Sequence, residues 1–246
     1  MPHFEDDILG QIKAWSAAGV RKFYYRPNFM CYASAFPRGI EKWLYENFRE
    51  MLRYGSVGYH YDGRPVCATH FEYYVLTELC QHPTRAFEEI ADEFYAQYGA
   101  AAPEARAYFE RLRARSNRFF DAFRTASDAR TRLDDSEVAK FAVKGHTRAE
   151  LEEDLAALAP GRDKALGAAD ARRYRRLCLQ AEHACIAFDF FEKAAGADDG
   201  AFQEAARRLD AFRRANYDLL GREAAAWYGS RSGEAPLWKR TDCLEK

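Results

Sequence analysis

The sequence predicts a mostly α-helical protein with a small α/β part at its start. Two textures follow one another and change near Cys80: residues 1–82 alternate helical periodicity with two short strand-like runs, and residues 83–246 are almost wholly helical in pattern. Composition is the second observation, since 48% hydrophobic and 15% aromatic residues over 246 positions supply one large core or two modest ones. The third is that a helix separates the two strand-like runs, which is the spacing a crossover between parallel neighbours needs.

The elements follow in order. Phe4, Ile8, Ile12 and Trp15 recur at helical spacing before "SAAGV" breaks the pattern and "RKFYYRP" gives the first aromatic run. After a loop with Pro37 and Gly39, "IEKWLYENFREMLRYG" puts Leu44, Phe48, Met51 and Leu52 on one helical face and stops at Gly55. "SVGYHYDG" is a second strand over Val57–Tyr61, ending in Asp62-Gly63. A third helix begins at "THFEYYVLTEL", with Thr69 and Glu72 spaced as a capping box, and Pro83 marks its end.

The helical part opens with Phe87, Ile90, Ala91, Phe94, Tyr95 and Tyr98, an unbroken stripe up to Gly99. Pro103 stands at the start of a long helix through "YFERLRARSNRFFDAFR", and Thr147 with Glu150 caps a shorter one. Two long helices, Ala168 to about Ala195 and Asp199 to about Tyr228, are expected to pair antiparallel across "GADDG". Residues 83–246 are expected to form a helical domain of their own.

Charge and composition exclude several classes. Lys+Arg 37 against Asp+Glu 38 leaves a net charge of -1, so no overall field favours nucleic acid or an anionic membrane surface. The start "MPHFEDDILGQIKAW" is acidic where a secretory leader needs a basic start and an apolar run, and no apolar stretch reaches the roughly 18 residues of a membrane span. A cytoplasmic location is expected. The six cysteines form no CxxC pair, which fits free thiols. The histidines show no HExxH or comparable spacing, and no Gly-rich phosphate loop or Gly-x-Ser-x-Gly elbow occurs, so neither metal nor cofactor is expected. Cys178, Glu182, Cys185 and Asp189 share a helix and read as a mixed interior face. The arginine clusters "RLRARSNR" and "ARRYRRLC" read as solvated helix faces.

Two short parallel strands make a marginal sheet with open edges. The pattern therefore looks like the end of a larger α/β fold. "FYYRPNFM", "LRYGSVGYHYDG" and "ATHFEYYVLTELCQHPTRAFEEIADEFYAQYGAAAPEARAYFERL" resemble the C-terminal portion of an uncharacterised bacterial family of glycoside-hydrolase-like proteins, similar in architecture to α-glucuronidases and β-hexosaminidases. The resemblance covers about residues 1–125. It implies that residues 1–82 are the last two strand–helix units of a (β/α)8 barrel and that residues 83–246 are the helical domain behind it.

That resemblance implies a function at the carboxyl ends of the strands, where a barrel builds its binding mouth. Arg26 and Asn28 share a parity and can hold a uronate carboxylate or sugar hydroxyls; Tyr59 and Tyr61 can meet apolar sugar faces, and Asp62 can accept a hydroxyl. The bland alternative is that Arg26-Pro27-Asn28 and Asp62-Gly63 are turns and the tyrosines are core. Hydrolysis needs two carboxyls about 5–10 Å apart, and no second strand-end carboxylate stands beside Asp62, while Glu72 reads as a cap. The expected ligand is a carbohydrate, a uronic acid or an amino sugar, bound without hydrolysis by this chain alone. Self-association or an upstream barrel segment would complete the sheet. The alternative is a non-enzymatic helical interaction or assembly module.

Overall fold

The computed structural model describes residues 2–25, 36–60, 70–128, 145–194 and 198–220. Over these residues the chain is mostly helical with one small parallel sheet. Helix α1 (Pro2–Ala17), strand β1 (Phe23–Tyr25), helix α2 (Glu41–Arg53) and strand β2 (Ser56–Tyr59) come first. Helices α3 (His70–Gln81) and α4 (Phe87–Ala96), a 3₁₀ turn at Gly99–Ala101, and the long α5 (Ala102–Asp128) follow. The chain continues through α6 (Arg148–Ala157), the single turn α7 (Ala159–Arg162), α8 (Ala168–Ala194), α9 (Asp199–Ala215) and α10 (Tyr217–Leu220). Among the described residues no helix is long and apolar enough to cross a membrane.

The two strands are parallel neighbours, as their spacing predicts. Phe23 pairs with Ser56, Tyr24 with Gly58 and Tyr25 with Tyr59, so Val57 is an extra residue bulged from β2. The tight entry into β2 depends on Gly55, which adopts φ 100 and lies so close to the preceding chain that a Cβ would sit 2.4 Å from the Arg21 carbonyl oxygen. Helix α2 buries Leu44, Phe48 and Met51 as the periodicity predicts. The Thr147–Glu150 capping box is present in both directions: Thr147 Oγ1 accepts from the Glu150 N–H at 3.3 Å, and the Glu150 carboxylate accepts from the Thr147 N–H at 3.1 Å.

The buried side chains form one continuous cluster running from Ile12 to Leu209. Phe71 of α3 stacks on Phe94 of α4 at 4.2 Å and 9° and meets Phe109 of α5 edge-on at 5.4 Å. Phe36, ahead of α2, packs on His146 at 4.9 Å and on Phe191 of α8 at 5.7 Å. Packing contacts thus cross residue 82. Helices α8 and α9 form an antiparallel pair, with Phe190 against Phe202 at one end and His183 against Arg213 further along.

Three elements differ from expectation. The α1 stripe is buried at Ile12, but Trp15 is 50% exposed, because helical spacing names a face and not a partner. Helix α4 stops at Ala96, and Tyr98 reaches the core from the turn that follows. The last long helix ends at Ala215, where Asn216 donates both its backbone N–H and its side-chain Nδ2 to the Phe212 carbonyl, at 3.2 and 2.9 Å. The remaining stretch expected in that helix, residues 221–228, lies outside the described residues.

Candidate functional site

The carboxyl ends of β1 and β2 are level. Tyr25 pairs with Tyr59, and the His60 N–H donates to the Tyr25 carbonyl at 2.7 Å, so the two chain segments that leave the strands start side by side. Beneath these ends Tyr25 stacks on Phe48 of α2 at 6.3 Å, and Phe48 meets Tyr59 edge-on at 5.9 Å. The side chain between them behaves differently: Tyr24 points away from α2, covers Gly58, and is 70% exposed. The sheet thus has one face packed on helices and one face offering an aromatic ring to solvent.

Beyond the strands, the described chain holds a buried ion pair between residues 38 and 72. Arg38 stands in the wholly buried stretch 36–40 that leads into α2, and Glu72 stands in the first turn of α3. Arg38 Nη2 donates to Glu72 Oε2 at 3.0 Å, and neither side chain is more than 3% exposed. Gly39 makes the approach possible. It adopts φ 64, and a Cβ there would collide with the backbone of Leu112 and Arg113 at 2.3–2.5 Å, so this turn lies directly against α5. Glu72 therefore accepts from Arg38, while Thr69, its expected partner in a capping box, lies outside the described residues.

A second buried pair stands alongside. Arg113 Nε donates to Glu41 Oε1 at 2.9 Å and its Nη2 to the Tyr95 hydroxyl at 3.0 Å, with the guanidinium 5.0 Å from the Phe87 ring centroid. Burial pushes the Glu41 carboxyl up from its ordinary value, and the Arg113 charge opposes that shift. Burial also raises the Tyr95 hydroxyl to about 12. Each carboxylate here is bonded to an arginine inside the protein, an arrangement that fixes geometry at the head of α2 and α3.

Of the expected binding residues, Arg26, Asn28, Tyr61 and Asp62 lie outside the described residues. Tyr59 lies at the strand end, partly buried, with its ring against Phe48 and its hydroxyl 3.1 Å from Thr77 Oγ1 of α3. Arg38 and Glu41 are absent from the sequence-based candidates. A charge flanked by Pro37 and Gly39 between apolar Phe36 and Ile40 is the signal that marks such a buried arginine. On α8, where Cys178, Glu182, Cys185 and Asp189 share a helix, Asp189 accepts from Arg208 at 3.2 Å and pairs with Arg148. No protein-family description, curated protein or solved structure matches this chain.

Proposed function

We propose that this chain is the C-terminal part of a glycoside-hydrolase-like, carbohydrate-active protein, and that it contributes to holding sugar instead of hydrolysing it alone. The observation that supports this reading is the one-sided sheet. Two parallel strands with level carboxyl ends carry helices on one face and leave Tyr24 70% exposed on the other. In a (β/α)8 barrel that second face packs inward against the remaining strands, and the residues just past the carboxyl ends line the mouth. Arg26 directly follows Tyr25, and Asn28 and Asp62 come within three residues of the paired ends. A guanidinium, an amide and a carboxylate are the groups that grip a uronate carboxylate or sugar hydroxyls.

Calorimetric titration with uronic acids and amino sugars tests the reading, using this chain joined to any strand–helix units that prove to be encoded upstream. Binding is expected, with affinity falling about tenfold or more in Arg26→Ala, Asn28→Ala and Asp62→Ala. A sugar bound equally well by all three variants would refute the rim assignment. An upstream sequence with no strand–helix units would favour the helical assembly module.

A further inference from the structure

Two neighbouring clefts lie along the first half of α8. One, of about 470 Å³, opens between α7 and α8 and is lined by Arg162, Leu166, Arg175, Cys178 and Leu179, with Glu182 at α8. The other, of about 450 Å³, opens towards α10 and includes Arg172, Asn216 and Asp218. Arg175 lines both, so they meet at its side chain. Each volume falls in the range of small-molecule sites, about 300–1,000 Å³.

Many arginines elsewhere on the surface are held in ion pairs. Arg111 pairs with Glu153 at 2.7 Å, Arg207 with Glu204 at 2.7 Å and Arg214 with Asp210 at 2.6 Å. Arg162, Arg172 and Arg175 make no ion pair among the described residues. Lys164, on the same rim, is already held by Glu104 at 2.7 Å. The two carboxylates lining the groove are Glu182 in one cleft and Asp218 in the other, against three unmatched guanidinium groups. Cations gathered around a concave, partly apolar surface focus their field into it. Leu166 and Leu179 supply the apolar floor. Burial pushes the Cys178 thiol up, so the sulfur is a neutral wall of the cleft.

We propose that this groove binds a small organic anion, a carboxylate or a phosphate ester, with its oxyanion gripped by Arg175 together with Arg162 and its apolar part lying on Leu166 and Leu179. Guanidinium groups bind both kinds of oxyanion through paired N–H donors. The inference is independent of the sugar reading, because the groove lies in the helical part and asks for no hydroxyl-rich ligand.

Phenyl phosphate and benzoate are the probes, each carrying an anion and an apolar ring, with inorganic phosphate as the anion alone. Isothermal titration of the full chain at low ionic strength is expected to show saturable binding of at least one ring-bearing probe, and which of the two binds tighter assigns phosphate or carboxylate. Affinity should fall about tenfold or more in Arg175→Ala and in Arg162→Ala, be partly kept in Arg175→Lys, and be unchanged in Arg207→Ala. Because Arg162 and Arg175 are exposed, an unchanged melting midpoint will accompany these losses. The proposal is overturned if neither ring-bearing probe saturates, if both alanine variants bind as well as the parent, or if Arg207→Ala weakens binding as much as Arg175→Ala does.

Discussion

Helix α4 buries its whole apolar stripe, Phe87, Ile90, Ala91, Phe94 and Tyr95, whereas the sheet of β1 and β2 leaves Tyr24 70% exposed and the bulged Val57 51% exposed. Both regions began as comparably apolar sequence. What separates them is the supply of partners. Helix α4 lies between α3 and α5 and finds Phe71 and Phe109 for its rings, while the sheet finds α2 and α3 on one face only. Burial is a property of neighbours, and the same kind of ring is buried or exposed according to what packs on it.

The sharpest way to break this contrast is to separate the parts. Residues 83–220 expressed alone lose Phe71, Val75, Leu76 and Leu79, all at most 1% exposed and all in the core that α4 shares. At about 1.5–3 kcal/mol for each large buried side chain the loss approaches the whole stability of a domain, so no cooperative urea transition is expected. A cooperative transition with native near-ultraviolet dichroism would make the helical part a domain after all.

Next in size is the Arg38–Glu72 ion pair. Arg38→Ala leaves Glu72 buried without that partner and is expected to cost about 3–5 kcal/mol in urea denaturation, while the double variant Arg38→Met with Glu72→Leu recovers much of it. An Arg38→Ala cost under 1 kcal/mol would mean that the pair is not closed in solution.

A smaller effect follows from His146. Burial against Phe36, reinforced by the Arg115 charge, holds its imidazole down to about 4 from an ordinary 6.5. The unfolded chain then binds a proton that the folded chain refuses, so stability is complete above pH 6.5 and falls as pH drops towards 4, by about 3 kcal/mol. His146→Phe should flatten that window. Below it, the Glu150 carboxyl, lowered to about 2 chiefly by its hydrogen bond from Arg118, adds a separate loss between pH 4.5 and 2. The smallest effect is expected for Tyr24→Thr, within about 0.5 kcal/mol in this chain, since the ring covers little besides Gly58.

Local signals were legible in the sequence, and signals that need a distant partner were not. The Thr147–Glu150 box spans one turn and is read from two letters; the Leu44, Phe48 and Met51 face is read from its period. Glu72 has the spacing of the same box from Thr69, but its bond from Arg38, 34 residues away, has no local signal in the sequence. Trp15 continues a helical stripe that nothing covers there. Of the candidate site, the level ends of two parallel strands were foreseen from their spacing, but the ring of Tyr59 goes to Phe48 and its hydroxyl to Thr77, a packing fate that strand alternation cannot distinguish from a binding one.

The central claim is that one packed unit ends in an open sheet, and hydrogen exchange on a chain verified as a monomer tests it most directly. Amides of Phe71–Val75 and Ile90–Phe94, inside the shared core, are expected to exchange only with global unfolding, and those of Phe23–Tyr25 and Val57–Tyr59 much faster through local opening. Equally slow exchange in the strands and in the core of that monomer would contradict the account, because it would show that the two-stranded sheet is complete as it stands.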